Sequence, residues 1–130
     1  MIVVDASVLA PALVDDAVDG RRARRRLRGE RLAAPFLIDL EVVSAIRQVA
    51  RTHALDERRV RQALAQLVAL PLRRARHTPL LPRIWALRDN LTPYDAAYVA
   101  LAEAIGAPLL TADRRLAGAP GVECDIELIR

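Results

Sequence analysis

The sequence predicts an α/β fold, in which helices cover both faces of a mainly parallel sheet. Short apolar runs typical of buried strands stand at residues 1–4 and 108–111. Between them, long segments repeat apolar residues at helical spacing. The chain has 130 residues, of which 53% are hydrophobic and 28% are charged. This length and composition suffice for one globular domain, which we expect to span residues 1–130.

The N-terminal half contains signals for two strands and four helices. The β-branched run at residues 1–4 ends at Asp5, and Pro11 lies early in the helix that follows. We expect Pro35 to open the third helix and Asp56 to cap the fourth. In chain order, the predicted elements are a strand over 1–4, a helix beginning near residue 8, a helix over 15–29, a short strand over 32–34, and helices over 36–51 and 56–69.

The helix predicted over 36–51 is apolar around most of its circumference. A helix of this kind is buried on more than one side. We therefore expect one side to face the core and another to face a partner, either a second copy of the chain or another protein. In the same helix, Asp39 is interpreted as a residue that interacts with the helix dipole.

The C-terminal half contains an edge strand, two helices and two further strands. Pro71 and the arginines after it favour an edge strand over 71–76. Thr92 as N-cap, Pro93 at the first position and Gly106 after the last turn delimit a helix, in which Asp95 can complete a capping box. The other predicted elements are a helix over 78–89, a strand over 108–111, a helical turn over 114–116 and a last strand within 122–129. Side chains expected to face the core are Val60, Leu64, Leu67 and Val68, then Ile84, Trp85 and Leu87, and finally Tyr94, Ala97, Tyr98, Leu101 and Ile105.

Four acids stand where such a fold can gather them. Asp5 and Asp113 follow the two buried strands, Glu41 lies on the third helix, and Asp95 lies in the first turn after Thr92. Because ligands of open α/β sheets bind at the carboxyl ends of the strands, we expect Asp5 and Asp113 to lie at a ligand-binding edge. Each acid also has a purely structural interpretation: three of them as helix caps and Glu41 as an exposed helix residue.

The chemistry of these acids depends on whether the fold brings them together. Four carboxylates in one place form a site of oxygen ligands, which suits Mg²⁺ or Mn²⁺ rather than Zn²⁺. Without a cation, clustered carboxylates repel one another, and this repulsion raises their pKa values. A divalent ion relieves the repulsion and activates water for the hydrolysis of phosphodiesters.

The basic residues favour a polyanionic partner. All 20 are Arg, the formal net charge is +4 and the isoelectric point is about 10.5. The arginine-rich segment 21–31 is interpreted either as a solvated helix face or as a surface that contacts phosphate, with Arg21, Arg25 and Arg28 as candidate contacts. Aromatic residues make up only 3% of the chain, which counts against a stacking platform for single-stranded nucleic acid.

We expect a cytoplasmic protein without a membrane span. Asp5 interrupts the apolar N-terminus, so this segment does not have the pattern of a signal peptide. Glu103 and Pro108 interrupt the apolar residues 96–112. Cys124 is the single cysteine and cannot form an internal disulfide, which fits a reducing compartment.

Four motifs follow one another along nearly the whole chain. They are Ile-Val-Val-Asp-Ala-Ser-Val-Leu at 2–9, Leu-Glu-Val-Val-Ser-Ala at 40–45, Leu-Thr-Pro-Tyr-Asp-Ala-Ala-Tyr-Val-Ala-Leu-Ala at 91–102 and Leu-Thr-Ala-Asp-Arg-Arg-Leu at 110–116. Together they resemble the motifs of PIN-domain ribonucleases and, within that family, of VapC-type toxins from bacterial toxin–antitoxin pairs. The third and fourth motifs are the most specific, whereas the first is weak on its own.

The resemblance implies a three-layer α/β/α sandwich and a metal site made by Asp5, Glu41, Asp95 and Asp113. It implies endonucleolytic cleavage of RNA that depends on Mg²⁺ or Mn²⁺. It also implies a homodimer and a cognate antitoxin that blocks the site.

The resemblance further implies roles for residues beside the acids. Ser7 and Thr111 match positions that support the metal or the substrate in the family. Ser44, a third candidate for a supporting role, stands where many relatives carry Asn. Arg114 and Arg115 are expected to hold the RNA backbone together with the arginine-rich segment.

Other functions compete with the toxin. A degenerate PIN-fold binding module would use the four acids only as structural residues, and metal-dependent cleavage would separate the two. A PIN nuclease acting in RNA processing, or on structured DNA, would keep the chemistry, but the short chain favours a toxin. A receiver domain also places acids around Mg²⁺ at strand ends, but it needs a lysine beside its phosphorylated Asp, and this chain has none.

Overall fold

Five parallel strands form the central sheet of the computed structural model, which describes residues 1–53 and 55–129. The strands are β1 (Ile2–Val4), β2 (Leu32–Pro35), β3 (Leu72–Ala75), β4 (Leu109–Thr111) and β5 (Ile126–Leu128). Their spatial order is β3-β2-β1-β4-β5, and each neighbouring pair is parallel. The mainly parallel sheet and the position of β3 at its edge are therefore confirmed.

Seven α-helices lie in the described part of the chain. They are α1 (Ala6–Val14), α2 (Val18–Leu27), α3 (Ile38–Thr52), α4 (Glu57–Ala69), α5 (Leu81–Ala86), α6 (Pro93–Ile105) and α7 (Arg114–Ala117). Right-handed crossovers place α1–α4 on one face of the sheet and α5–α7 on the other. Accordingly, α1 packs against α2, α3 and α4, whereas α6 packs against β1, β2 and β4. This arrangement confirms the predicted three-layer α/β/α sandwich.

The order in which the chain adds strands to the sheet reverses between β1 and β4. After β1 it moves toward β2 and β3, and after β4 it moves toward β5 on the other side. In open α/β sheets, the crevice at the carboxyl ends of two such strands is the usual place for a ligand. The residues that follow β1 and β4 are therefore the candidates for a ligand-binding site.

The core lies on both faces of β1 and β4, whose side chains are all buried. Helix α6 buries every residue from 96 to 102, and the small alanines among them allow close contact with the sheet. Its predicted ends are confirmed: the Thr92 side chain accepts a hydrogen bond from the Asp95 N–H, and Gly106 adopts a left-handed φ of 65°. None of the helices in residues 1–53 and 55–129 is long and apolar enough to cross a membrane.

Two predicted boundaries are wrong. Pro35 is the last residue of β2 and does not open a helix, because its φ also suits a strand and its missing N–H costs nothing where no ladder bond needs it. The helix predicted over 78–89 is a 3₁₀ turn over Thr78–Leu80 followed by the short helix α5. Pro82 near the start of α5 fits this interruption, since proline is favoured in a first turn.

One side of α3 faces the core, as predicted, and the side that we expect to face a partner is exposed in the single chain. Only Ile38, Val42 and Ile46, which form one stripe, are buried, whereas Leu40 is 75% exposed and Val43 is exposed as well. Helix α3 packs against α1 and α4, and Leu40 and Val43 stay open to solvent.

Four side chains that were predicted to face the core are exposed, and these predictions are wrong: Val68, Trp85, Tyr94 and Ile105. Ile84 of the short helix α5 and Leu87 directly after the helix are buried, whereas Trp85, between them in sequence, is 66% exposed. The Arg88 guanidinium lies 4.5 Å from the centre of the indole, so a cation–π contact replaces the predicted apolar packing.

Candidate active site

Asp5 is the buried polar residue at the carboxyl end of β1. Its N–H donates to the Leu110 carbonyl at 3.0 Å, so the backbone is tied to β4. Its Oδ2 accepts hydrogen bonds from Ser7 Oγ at 2.8 Å and from Thr111 Oγ1 at 2.7 Å. Although Asp5 stands at the N-cap position of α1, its side chain makes no capping hydrogen bond. The interpretation of Asp5 as a capping side chain is therefore wrong.

The hydroxyls of Ser7 and Thr111 join the ends of β1 and β4. Besides donating to Asp5, Ser7 Oγ accepts from the Ala112 N–H at 2.9 Å, and Thr111 Oγ1 accepts from the Asp113 N–H at 3.0 Å. Each hydroxyl thus donates to the carboxylate and accepts from the loop after β4. This network fixes the backbone of Asp113 relative to the carboxylate of Asp5.

The four predicted acids line one open groove of about 410 Å³ at this edge of the sheet. Glu41 comes from the first turn of α3 and Asp95 from the first turn of α6, and both helices begin at the carboxyl edge. Asp5 follows β1 and Asp113 follows β4. Besides the acids, the groove is lined by Ala6, Ser7, Ser44, Ala45, Arg47 and Gln48. We call it the carboxylate groove.

Glu41 is held by a residue whose polar role the sequence analysis missed. The Tyr98 hydroxyl donates to Glu41 Oε1 at 2.6 Å. Burial raises the pKa of Glu41, the Tyr98 hydrogen bond opposes this rise, and the charges of Asp5 and Asp95 add to it. Burial and the Glu41 carboxylate also raise the pKa of Tyr98, so its hydroxyl stays protonated and remains a donor. Because a buried tyrosine hydroxyl usually has a hydrogen-bond partner, the predicted burial of Tyr98 could have indicated a polar contact.

Asp95 and Asp113 have opposite pKa shifts. Burial raises the pKa of Asp95, and the charges of Asp5 and Asp113 raise it further. Partial burial alone would also raise the pKa of Asp113, but the hydrogen bonds and charge of Arg115 outweigh burial and lower it. Asp113 Oδ1 accepts from the Arg115 N–H at 2.9 Å, so this residue caps α7 as well as lining the groove.

The four carboxylates share the groove without closing on one point. In residues 1–53 and 55–129, no three His, Cys, Asp or Glu side chains are already arranged to hold a metal ion. Ser44 lines the groove and is exposed, and it has no side-chain hydrogen bond within the described residues. Arg47 also lines the groove and was not singled out from the sequence, since nothing near it in the chain marks it.

The arginines predicted to hold RNA occupy different places. Arg115 pairs with Asp113 at 3.3 Å beside the groove, and Arg114 lines a neighbouring pocket. Arg21, Arg25 and Arg28 lie on α2 or directly after it and do not line the groove. The structure therefore separates the predicted contacts into two near the acids and three away from them.

A sequence model of the PIN domain matches residues 2–122, and the chain therefore belongs to the PIN-domain family. It is 43% identical over 129 residues to Ribonuclease VapC1 of Mycobacterium tuberculosis, a match that covers 98% of this chain and 97% of the relative. Ribonuclease VapC9 of the same organism is 41% identical, with 99% and 98% covered. The resemblance to VapC-type PIN ribonucleases is thus confirmed over nearly the full chain.

Solved structures share the fold at lower identity. VapC20 of M. tuberculosis, described as a sarcin–ricin loop cleaving toxin, has a TM-score of 0.71 and 16% identity, with 95% of this chain and 99% of that chain covered. A toxin–antitoxin complex from Klebsiella pneumoniae has a TM-score of 0.64 and 23% identity, with 95% and 96% covered. At this level of identity, the likeness supports the α/β/α fold alone.

Proposed function

We propose that this protein is an endoribonuclease toxin that depends on Mg²⁺ or Mn²⁺ and hydrolyses RNA at the carboxylate groove. The observation that supports it most is the convergence of Asp5, Glu41, Asp95 and Asp113, from four separate elements, on one groove at the reversal point of the sheet. The names of the curated relatives, which are VapC ribonucleases, support RNA as the substrate.

The donor set of the groove fits a hard divalent cation. Its candidate ligands are carboxylate oxygens. Burial and, to a smaller extent, the neighbouring carboxylates raise the pKa of Glu41 and Asp95, and a cation between these groups would offset both effects. We assign Asp5 and Asp95 as the main ligands, with Glu41 and Asp113 completing the site directly or through water. When bound, the ion supplies charge neutralisation at the phosphate and lowers the pKa of the attacking water.

The residues of the chain orient these acids before substrate arrives. Ser7 and Thr111 both donate to Oδ2 of Asp5, and no described residue donates to its Oδ1, which is left for a ligand. Tyr98 fixes Glu41, whose buried carboxylate can accept the proton of the attacking water where Glu41 holds the ion through water and not directly. Glu41 is therefore our candidate for the general base.

Two partners belong to the same proposal. A cognate antitoxin would block the groove, as the resemblance to VapC-type toxins implies. A second copy of the chain would cover the exposed apolar side chains Phe36, Leu40 and Val43 at α3. Action in the cytoplasm stays a prediction from the sequence.

The test is cleavage of total cellular RNA by the purified, antitoxin-free protein in Mg²⁺, Mn²⁺ or EDTA. Discrete fragments should form only with metal and should vanish in Asp95→Asn, because this change removes a ligand charge. Asp89→Asn is the matched control, since Asp89 is exposed and lies outside the groove. Circular dichroism of both variants should match that of the parent.

Two results would contradict the proposal. Cleavage that persists in EDTA would exclude metal dependence. A folded protein that binds no divalent ion and cuts no RNA would favour the binding module, in which the four acids are structural.

A further inference from the structure

A second pocket, of about 390 Å³, adjoins the carboxylate groove. Ser7 lines both, so the two pockets meet at the residue whose hydroxyl supports Asp5. Arg22 of α2 and Arg114 of α7 enter the pocket from different elements. Leu128 and Ile129 provide apolar walls. We call it the arginine pocket.

The two arginines of this pocket have unused hydrogen-bond donors. Both side chains are exposed, and neither forms a hydrogen bond or an ion pair with the described residues. Their neighbours differ: Arg24 donates to two backbone carbonyls, and Arg26 forms a bidentate pair with Glu127. Arg24 and Arg26 therefore stabilise the fold, whereas Arg22 and Arg114 are available to an external acceptor.

The chemistry of the pocket matches one nucleotide. Guanidinium groups bind phosphate through paired hydrogen bonds, and apolar walls fit a ribose or a base. Asp19 also lines the pocket, three residues before Arg22 on the same helix. Its carboxylate would repel a phosphate but can accept a hydrogen bond from a ribose 2′-hydroxyl, the group that distinguishes RNA from DNA.

We propose that the arginine pocket binds the nucleotide of a single-stranded RNA that neighbours the scissile bond. Arg22 and Arg114 hold its phosphate, and Asp19 accepts from its 2′-hydroxyl. The assignment of RNA rests on the proposed function. It also moves the main phosphate contact away from Arg21, Arg25 and Arg28, which lie outside both pockets.

The direct test measures RNA binding in EDTA, so that no metal-dependent cleavage interferes. The probe is a short, fluorescein-labelled single-stranded RNA of mixed sequence, followed by anisotropy over a salt series. In Arg22→Gln/Arg114→Gln, Kd should rise about tenfold. The negative slope of the logarithm of the association constant against the logarithm of the salt concentration should become shallower by about one unit. Arg58→Gln/Arg73→Gln is the matched control: both residues are exposed, and the variant loses the same charge on α4 and β3.

The outcomes separate this inference from the proposed function. Unchanged Kd and slope in the pocket variant, an equal loss in the control variant, or no RNA binding by the parent would each overturn the arginine pocket. A parent that binds RNA through Arg22 and Arg114 but never cuts it would instead overturn the ribonuclease and leave the pocket standing. If cleavage is observed, the pocket variant should raise KM about tenfold with kcat little changed, since the bound nucleotide does not react.

A DNA arm tests the role of Asp19. The parent should bind the RNA probe more tightly than single-stranded DNA of the same sequence. In Asp19→Ala, the ratio of RNA affinity to DNA affinity should fall, because DNA gains from the lost negative charge while RNA also loses an acceptor. An unchanged ratio would overturn the contact between Asp19 and the 2′-hydroxyl.

Discussion

Two acids of the carboxylate groove, Glu41 and Asp95, have pKa shifts opposite to those of acids that pair with arginine elsewhere in the protein. On the surface, Asp39, Glu103 and Glu127 each accept two hydrogen bonds from one arginine. These pairs lower the pKa of Glu103 and Glu127. In the groove, burial and neighbouring carboxylates raise the pKa of Glu41 and Asp95 instead.

This difference separates residues that stabilise the fold from residues that prepare a site. The chain has 20 arginines, and away from the groove six acids of the described residues form ion pairs with them. Inside the groove, the one ion pair found in the described residues is between Asp113 and Arg115. Uncompensated carboxylates reduce stability and favour a cation, which is the usual conflict between stability and function at an active site.

The largest effect that tests this contrast is expected for Tyr98→Phe. The change removes the donor to Glu41 Oε1 and keeps the ring, so kcat for RNA cleavage should fall about 10–100-fold with KM little changed. Losing this hydrogen bond should raise the pKa of Glu41 further. The acidic limb of the pH–rate profile should therefore move to higher pH.

Tyr94→Phe is the matched control for this variant. Tyr94 lies one turn earlier on α6 and is exposed, so its loss should change neither kcat nor the pH profile. A Tyr98→Phe variant with an unshifted profile would mean that the hydroxyl only fills space in the core.

The contact between Tyr98 and Glu41 also marks where prediction from the sequence ends. The two residues are 57 positions apart, and no local pattern pairs them. By contrast, both ends of α6 were predicted, because caps depend on a few adjacent residues such as Thr92 and Gly106. The positions of Asp5 and Asp113 at one edge of the sheet could also be predicted, because parallel strands end at a common edge and each residue directly follows such a strand.

Burial was the weakest part of the prediction, for a physical reason. Apolar periodicity identifies a helix, but it does not say which sides other elements will cover. Leu40 and Trp85 carry the same apolar signal as Ile46 and Leu87, and they differ only in what packs against them. Long-range ion pairs such as Asp39–Arg74 were not predicted either, because they depend on which elements pack together. Asp39 was assigned to the helix dipole alone.

A smaller effect is expected for Glu103→Gln, which breaks a surface pair. Glu103 accepts from Arg83 at 2.6 and 3.1 Å and from the Glu123 N–H at 2.7 Å. Its loss should lower the free energy of unfolding by about 1 kcal/mol in urea denaturation near neutral pH. Because the folded-state pKa of Glu103 is lowered, this contribution is present above its unfolded-state pKa and disappears as the pH falls through the folded-state pKa.

The control for the surface pair is Glu57→Gln. Glu57 forms a 3.7 Å contact with Arg61 between two exposed side chains and lies in the first turn of α4, where its charge interacts weakly with the helix dipole. Its loss should therefore lower stability less than the loss of Glu103. Equal effects of the two substitutions would show that the Arg83–Glu103 pair is worth no more than an ordinary surface contact.

The smallest expected effect is a gain in stability from Glu41→Gln, the same Glu-to-Gln change made inside the groove. Glu41→Gln keeps an oxygen that can accept from Tyr98, and it removes a charge that burial, Asp5 and Asp95 all disfavour. In EDTA, the variant should therefore be more stable than the parent by about 0.5 kcal/mol at neutral pH. The folded-state pKa of Glu41 is raised, so the gain is present above that pKa and disappears as the pH falls to the unfolded-state pKa, where the parent is protonated in both states.

Added Mg²⁺ should reverse the order of stability of the two proteins, because the parent keeps the ligand charge that the variant has lost. A Glu41→Gln variant that is less stable than the parent in EDTA would place Glu41 with the surface acids, and the contrast between the two environments would fail at its central residue.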